Sequence, residues 1–90
     1  MKEYIIYGRT KCSYCDKVYN FMRERNEKFI YVIMNNLENN LVEVKNLYDW
    51  HTVPIVVELT EYEGEKVAKL IGGFDDTVKY FKDKEWINIL

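Results

Sequence analysis

Two hydrophobic rhythms alternate along this chain. A short apolar run, or a period of two, marks a strand; recurrence at i, i+3, i+4 and i+7 marks one face of a helix. Residues 3–7, EYIIY, are aromatic and β-branched and are closed by Gly8, so they predict a buried first strand. From Cys15, the positions Cys15, Val18, Tyr19 and Met22 follow the helical rhythm and predict a helix over about residues 13–25. Residues 29–34, FIYVIM, predict a second strand. Leu37, Leu41, Val44 and Tyr48 return to helical spacing, with Asn35 or Asn36 as a candidate cap. Residues 55–59, IVVEL, and 66–71, KVAKLI, predict two more strands, with TEYEGE between them as a polar hairpin turn. Gly72-Gly73 ends that hairpin. Asp75 and Asp76 then precede a helical pattern that includes Val78 and Phe81, and acids suit a helix N-terminus. The tail KDKEWINIL either continues this helix or makes a separate final turn.

The predicted order is β-α-β-α-β-β-α. The first two strands are joined through a helix, so they should be parallel and right-handed. The last two should form an antiparallel hairpin. The expected fold class is therefore α/β, a mixed four-stranded sheet flanked by helices, built as a single domain over residues 1–90. Ninety residues suffice for one core without staples, and eight Tyr, four Phe and two Trp supply much of its area.

Charge and hydropathy narrow the function classes. Thirteen basic against fifteen acidic residues leave a net charge of −2, with no basic stripe of the kind nucleic acid requires. No apolar run approaches the ~18 residues of a membrane helix. No charged-then-apolar leader precedes the first strand, which points to the cytoplasm, of a cell or of an infected host. In that setting two cysteines suggest catalysis or metal binding rather than a staple.

Those two cysteines lie in KCSYCD, residues 11–16. Cys12 falls where the first strand hands over to the first helix, and Cys15 falls in that helix's first turn. A helix N-terminus carries unsatisfied N–H groups and partial positive charge, both of which favour thiolate over thiol. Arg9 and Lys11 add positive charge. Such surroundings lower a Cys pKa from about 8.5 into the range of about 3.5–7.5. Cys12 is thus the candidate nucleophile, and Cys15, on the apolar face, the candidate resolving thiol. A disulfide over so short a loop adds little stability, so a purely structural role explains the pair poorly. Zinc normally takes four ligands, and here only His51 could add a third of the soft type. The pair beside a βαβ pattern suggests a thioredoxin-like redox motif. Pro54, the single proline, opens the third predicted strand in Thr52-Val53-Pro54. It is either a plain strand start or, if its bond is cis, a wall beside the cysteines. Gly72-Gly73-Phe74-Asp75-Asp76 is either a hairpin exit with a helix cap or a set of N–H groups that receives a carboxylate.

Taken together, the strand leading into Cys-Ser-Tyr-Cys, Thr-Val-Pro, Gly-Gly-Phe-Asp-Asp and the element order resemble a glutaredoxin of the dithiol type, over about residues 3–82. The ending GGFDD…YFK is similar to that of compact virus-encoded members. The resemblance implies a thioredoxin fold and a monomer. It also implies glutathione-dependent reduction of protein disulfides and glutathione mixed disulfides, with glutathione as co-substrate and no bound cofactor required. By position, Cys12 would attack and Cys15 would resolve. Tyr14 would flank the bound sulfur, and Lys11 would stand beside the pair. Val53, before a cis Pro54, would pair its backbone with the cysteinyl part of glutathione, and Thr52 would line the same groove. Gly73, Phe74 and Asp75 would receive the γ-glutamyl end, and Arg9 would attract the glycyl carboxylate. Protein partners would be disulfide-bearing or glutathionylated proteins, with ribonucleotide reductase as a family-level candidate.

The chain also departs from the commonest family pattern. Ser13 stands where Pro is commonest, Arg9 where Lys is commoner, and His51 where Arg is frequent. The hairpin is longer than usual, and its charged turn reads as a solvated loop rather than a partner contact. His51 near the groove would add pH dependence around the model value of about 6.5. Some members with Cys-Ser-Tyr-Cys hold an iron–sulfur cluster (2Fe–2S) between two subunits through each first Cys and two glutathiones. That makes a cluster-bearing dimer ligated by Cys12 one alternative. A thioredoxin-like hydrogen donor served by thioredoxin reductase is the other, although the chain lacks Trp-Cys-Gly-Pro-Cys.

Overall fold

The computed structural model describes residues 2–34, 38–50 and 52–89, with side chains for 2–34, 43–50 and 52–84. Its elements run β1 (Glu3–Gly8), α1 (Ser13–Glu24), β2 (Phe29–Ile33), α2 (Glu38–Tyr48), β3 (Ile55–Tyr62), β4 (Glu65–Gly72) and α3 (Phe74–Ile89). The four strands form one sheet in the order β2-β1-β3-β4. As the connections require, β1 pairs with β2 in parallel, and β3 is antiparallel to both β1 and β4. The element order and the mixed sheet are those expected from the hydrophobic rhythms.

Alternation along β1 decides which way the core faces. Tyr4, Ile6 and Gly8 are buried, while Glu3, Ile5 and Tyr7 are half-buried on the other face. Tyr4 and Ile6 join Val18 and Met22 of α1, Val56 of β3 and Phe81 of α3 in one cluster. Cys15, Val18 and Met22, the helical stripe expected of α1, are fully buried, whereas Tyr19 is half-buried. Phe81 is the hub: its ring lies 5.3 Å from Tyr4, 5.9 Å from Phe21 and 5.4 Å from Tyr80. The Arg25 guanidinium stacks over the same ring at 4.8 Å. Such aromatic pairs add about 0.5–1.5 kcal/mol each beyond simple burial.

Among the described residues, one charge sits in this interior. Glu58 of β3 is 4% exposed. Its carboxylate accepts a hydrogen bond from the Tyr80 hydroxyl and is flanked by Lys2 at 3.4 Å and Lys84 at 3.8 Å. A buried carboxylate is tolerable only with such partners. Burial, followed by the Glu58 hydrogen bond and charge, holds the Tyr80 phenol above its ordinary range.

The helices end by backbone chemistry. After α1, Asn26 takes a left-handed φ of 57°, and Glu27 N donates to Met22 O at 3.1 Å. After α2, Asp49 does the same at φ 52°, and Trp50 N donates to Lys45 O at 2.9 Å. Both are Schellman closures, which satisfy carbonyls left open by the last turn. Val44 and Tyr48 of α2 are half-buried; Leu37, the Leu41 side chain and the candidate caps Asn35 and Asn36 lie outside the described residues. The tail continues α3 without a break as far as Ile89.

The hairpin differs from expectation. TEYEGE is not a loop: β3 runs on through Thr60, Glu61 and Tyr62, and β4 already starts at Glu65. Only Glu63 and Gly64 form the turn, with φ of 51° and 83°. Two consecutive residues of positive φ make the turn whose twist matches paired strands. The ladder sets Glu61 opposite Lys66, whose ammonium pairs with Glu3 of β1 at 3.9 Å. Polar composition hid strand residues here because this part of the hairpin is exposed on both faces.

Replacing Phe81 with Ala should cost about 3–5 kcal/mol, because it empties the centre of the aromatic cluster. Urea denaturation followed by tyrosine and tryptophan fluorescence would show the midpoint falling accordingly.

Candidate active site

The site begins where β1 stops. Lys11 adopts a left-handed φ of 56°, which turns the chain out of the strand. Cys12 then caps α1 with an extended backbone, and its sulfur accepts a hydrogen bond from Cys15 N at 3.2 Å. Cys12 and Cys15 are joined as a disulfide, with their Cα atoms 5.2 Å apart. Their surroundings differ. Cys12 is 9% exposed and lies on a groove; Cys15 is 0% exposed and does not line it.

Two more segments reach the groove from far along the chain. Thr52-Val53-Pro54 leads into β3, and the Val53–Pro54 peptide is cis. Gly73 follows β4 and opens α3. A Cβ on Gly73 would lie 3.8 Å from Pro54 O and 3.9 Å from Trp50 Cζ2, so the two segments pack side by side. Gly73 N donates to Asp76 Oδ2 at 3.1 Å, which is the backward half of a capping box. Thr77 answers by donating its hydroxyl to Gly73 O at 2.7 Å. Gly72 has a φ of 129°, and a Cβ there would sit 2.7 Å from Asp76 Oδ2, so only glycine fits under this cap.

The groove encloses about 600 Å³. It brings together every residue expected around Cys12: Arg9, Lys11, Tyr14, Thr52, Val53, Pro54, Gly73, Phe74 and Asp75. Tyr14 is 53% exposed and stands 6.2 Å from the Phe74 ring, which makes one aromatic wall. Lys17 lies over Tyr14 at 4.9 Å and over Phe74 at 6.0 Å. Ser13, Lys45, Trp50 and Asp76 also line the groove and were not anticipated there. For Asp76 the signal was present, since an acid three residues after Gly73 has capping-box spacing. Lys45 comes from the last turn of α2, and nothing local in the sequence announces which way that turn faces. The indole Nε1 of Trp50 is buried and has no hydrogen-bond partner among the described residues. His51 lies outside the described residues.

A second, smaller cleft of about 360 Å³ lies on the β2 side of the same turn. Arg9 and Lys11 border both spaces, and Asp16, Tyr19 and Tyr31 line only the second. Between this cleft and Cys15 lies Gly8. A Cβ on Gly8 would meet Tyr31 Oη at 2.8 Å and Cys15 Sγ at 3.1 Å. Burial first, and the Asp16 charge second, raise the Tyr31 phenol above its ordinary pKa.

Among the described residues no three His, Cys, Asp or Glu side chains converge as a metal site. Among them, too, no helix is long and apolar enough to cross a membrane.

A Cys-x-x-Cys disulfide at a helix N-terminus, with its first sulfur on a proline-walled groove of a mixed four-stranded sheet, defines a thiol–disulfide protein of the thioredoxin fold. The family model described as Glutaredoxin matches residues 4–59, and the chain belongs to the glutaredoxin family. Glutaredoxin 1 from Francisella tularensis superposes with a TM-score of 0.67 at 22% identity, covering 96% of this chain and 98% of that one. A buckwheat glutaredoxin, solved as a glutathione complex, gives 0.71 at 18% identity, covering 99% of this chain and 76% of the other. A Plasmodium falciparum thioredoxin gives 0.65 at 15% identity over 91% of this chain and 70% of its own. A search of curated proteins found no match.

Asp76→Ala should remove the Gly73 cap and cost about 1 kcal/mol of stability. Chemical denaturation of the oxidised protein would measure the loss.

Proposed function

We propose that the protein is a glutathione-dependent thiol–disulfide oxidoreductase that reduces protein disulfides and glutathione mixed disulfides. The observation that carries this is the unequal burial of the two sulfurs. Cys12 faces a groove at a helix N-terminus, and Cys15 is sealed beneath it. The first can be attacked or attack from outside; the second can react only with the first.

In the reduced protein the Cys12 thiolate attacks one sulfur of a substrate disulfide. The other sulfur leaves with the electron pair and takes a proton. For a protein disulfide, Cys15 then gives up its proton and attacks Cys12 Sγ. The Cys12–Cys15 bond forms and the second substrate thiol is released. Glutathione reverses this by attacking Cys12 Sγ, with Cys15 leaving. A second glutathione attacks the mixed disulfide, giving glutathione disulfide and restoring the Cys12 thiolate. A low-pKa thiolate that is also a good leaving group suits both halves of the cycle. The α1 N-terminus, with Arg9 and Lys11 on the groove, supports that property in Cys12.

The groove suits a short peptide with charged ends. Val53 offers main-chain hydrogen bonds to its cysteinyl portion, with Thr52 and Pro54 as walls. Gly73, Phe74 and Asp75 offer N–H groups at the start of α3 to the γ-glutamyl carboxylate, and the Asp75 acid faces its ammonium. Arg9 draws the glycyl carboxylate, where a guanidinium adds a bidentate fork. Lys45 adds a further cation to the groove wall. Tyr14 flanks the exchanging sulfur.

Two measurements test this reading. Alkylation of the reduced protein against pH should show Cys12 reacting with a pKa below about 7.5, while Cys15 stays slow; equal rates with both values near 8.5 would refute the assignment. Cys15→Ser should keep turnover of a glutathionylated peptide with glutathione and its reductase, and lose reduction of a protein disulfide. Turnover with thioredoxin reductase in place of glutathione would instead identify a thioredoxin-like donor.

A further inference from the structure

When a nucleophile opens the Cys12–Cys15 bond, the electron pair leaves on Cys15. That sulfur is 0% exposed, so water does not reach the anion as it forms. A buried anion without a donor is costly, and a poorly stabilised leaving thiolate departs slowly. The backbone N–H of Cys15 points to the other sulfur, Cys12 Sγ. The stabilising donor therefore has to come from another element.

The structure holds one in the right place. β1 ends on Gly8, which carries no side chain under the turn. The position a Cβ would take there lies 3.1 Å from Cys15 Sγ and 2.8 Å from Tyr31 Oη. The hydroxyl of β2 and the buried sulfur thus share one small space, which any larger residue at position 8 would fill. The Tyr31 ring is held edge-on to Tyr19 of α1, with centroids 5.3 Å apart and planes at 84°. Its other side opens on the second cleft, where Asp16 also stands. The raised Tyr31 pKa keeps the phenol protonated and so able to donate.

Resting on the disulfide-exchange reading above, we propose that Tyr31 stabilises the Cys15 thiolate as the disulfide opens. The step balances as follows. The incoming thiolate forms a bond to Cys12 Sγ, the Cys12–Cys15 bond breaks, and its electron pair goes to Cys15. Tyr31 O–H donates a hydrogen bond to that sulfur. The proton that later neutralises Cys15 passes through the Tyr31 hydroxyl, which gives its proton to the sulfur and takes one from solvent on its cleft side. Substrate and proton therefore approach the pair from opposite sides of one turn. The groove serves Cys12, and the cleft serves Cys15.

The test is Tyr31→Phe, which keeps the ring and deletes only the hydroxyl. Opening of the oxidised protein by dithiothreitol and by glutathione is followed by stopped-flow fluorescence. The same substitution is placed in a Cys15→Ser background, where turnover of a glutathionylated peptide involves no Cys15 leaving group. The expected result is that opening slows about tenfold relative to the Cys15-independent turnover. The dithiol–disulfide equilibrium should move far less than the rate, because Cys15 ends as a neutral thiol in the reduced protein. An unchanged opening rate, or an equal slowing of both reactions, overturns the role of Tyr31. Failure of glutathione alone, with dithiothreitol still showing the Tyr31 effect, overturns the glutathione reading and leaves this inference standing.

Discussion

A sulfur atom caps the first helix, and the architecture of the site follows from it. Cys12 Sγ takes the N–H of Cys15 at the point where β1 has ended and α1 has begun. That atom is held from two directions. β1 is a central strand, laddered to β2 on one side and β3 on the other, so its C-terminal end is held on both sides. α1 is anchored by Val18 and Met22 in the same core that β1 enters through Tyr4 and Ile6. The turn between them has little freedom. It spends one left-handed residue, Lys11, to reverse direction, and it leaves the capping sulfur at the surface and the next one beneath it.

Strand direction then decides what else arrives at this edge. β3 is antiparallel to β1, so its start, with Pro54, meets the end of β1. β4 is antiparallel to β3, so its end, with Gly72 and Gly73, returns to the same edge. Ligand sites in open α/β sheets gather at such edges because loops and helix N-termini converge there. The groove is thus built from three segments that share no local sequence. Their contact is helped by Gly72, where a Cβ would collide with the Asp76 cap, and by Gly73, which lies in ordinary contact with Pro54. Elsewhere in the fold, away from the groove, polarity is handled differently. Glu58 is buried outright and satisfied by Tyr80, Lys2 and Lys84, which lets α3 lie over a charged strand position.

Much of this was legible in the chain. The helical stripe Cys15-Val18-Met22 and the β1 alternation report burial directly, because each residue's face is fixed by local geometry. The unequal burial of Cys12 and Cys15 was legible for the same reason. The groove residues Thr52, Pro54 and Phe74 were reached through family likeness, since nothing within their own windows says that they meet Cys12. Lys45 and Trp50 escaped altogether. Helix rotation and the path of the connection after α2 place them at the groove, and both depend on packing rather than pattern. The hairpin misled in the opposite sense. Glu61, Tyr62 and Glu65 look like a loop by polarity, but a two-residue turn at Glu63 and Gly64 keeps them in the ladder.

The sequence by itself determined the order of elements, the parallel and antiparallel pairings, and the unequal placement of two sulfurs at a helix start. Those are consequences of periodicity, connection length and capping, all of which act within a few residues. Only the tertiary structure decided that the Tyr31 hydroxyl of β2 and the Cys15 sulfur both approach the space left free at Gly8, and that the turn between β1 and α1 borders a groove and a cleft. Such contacts form when strands and helices dock. They are set by the volume left between elements, which no short stretch of chain encodes alone.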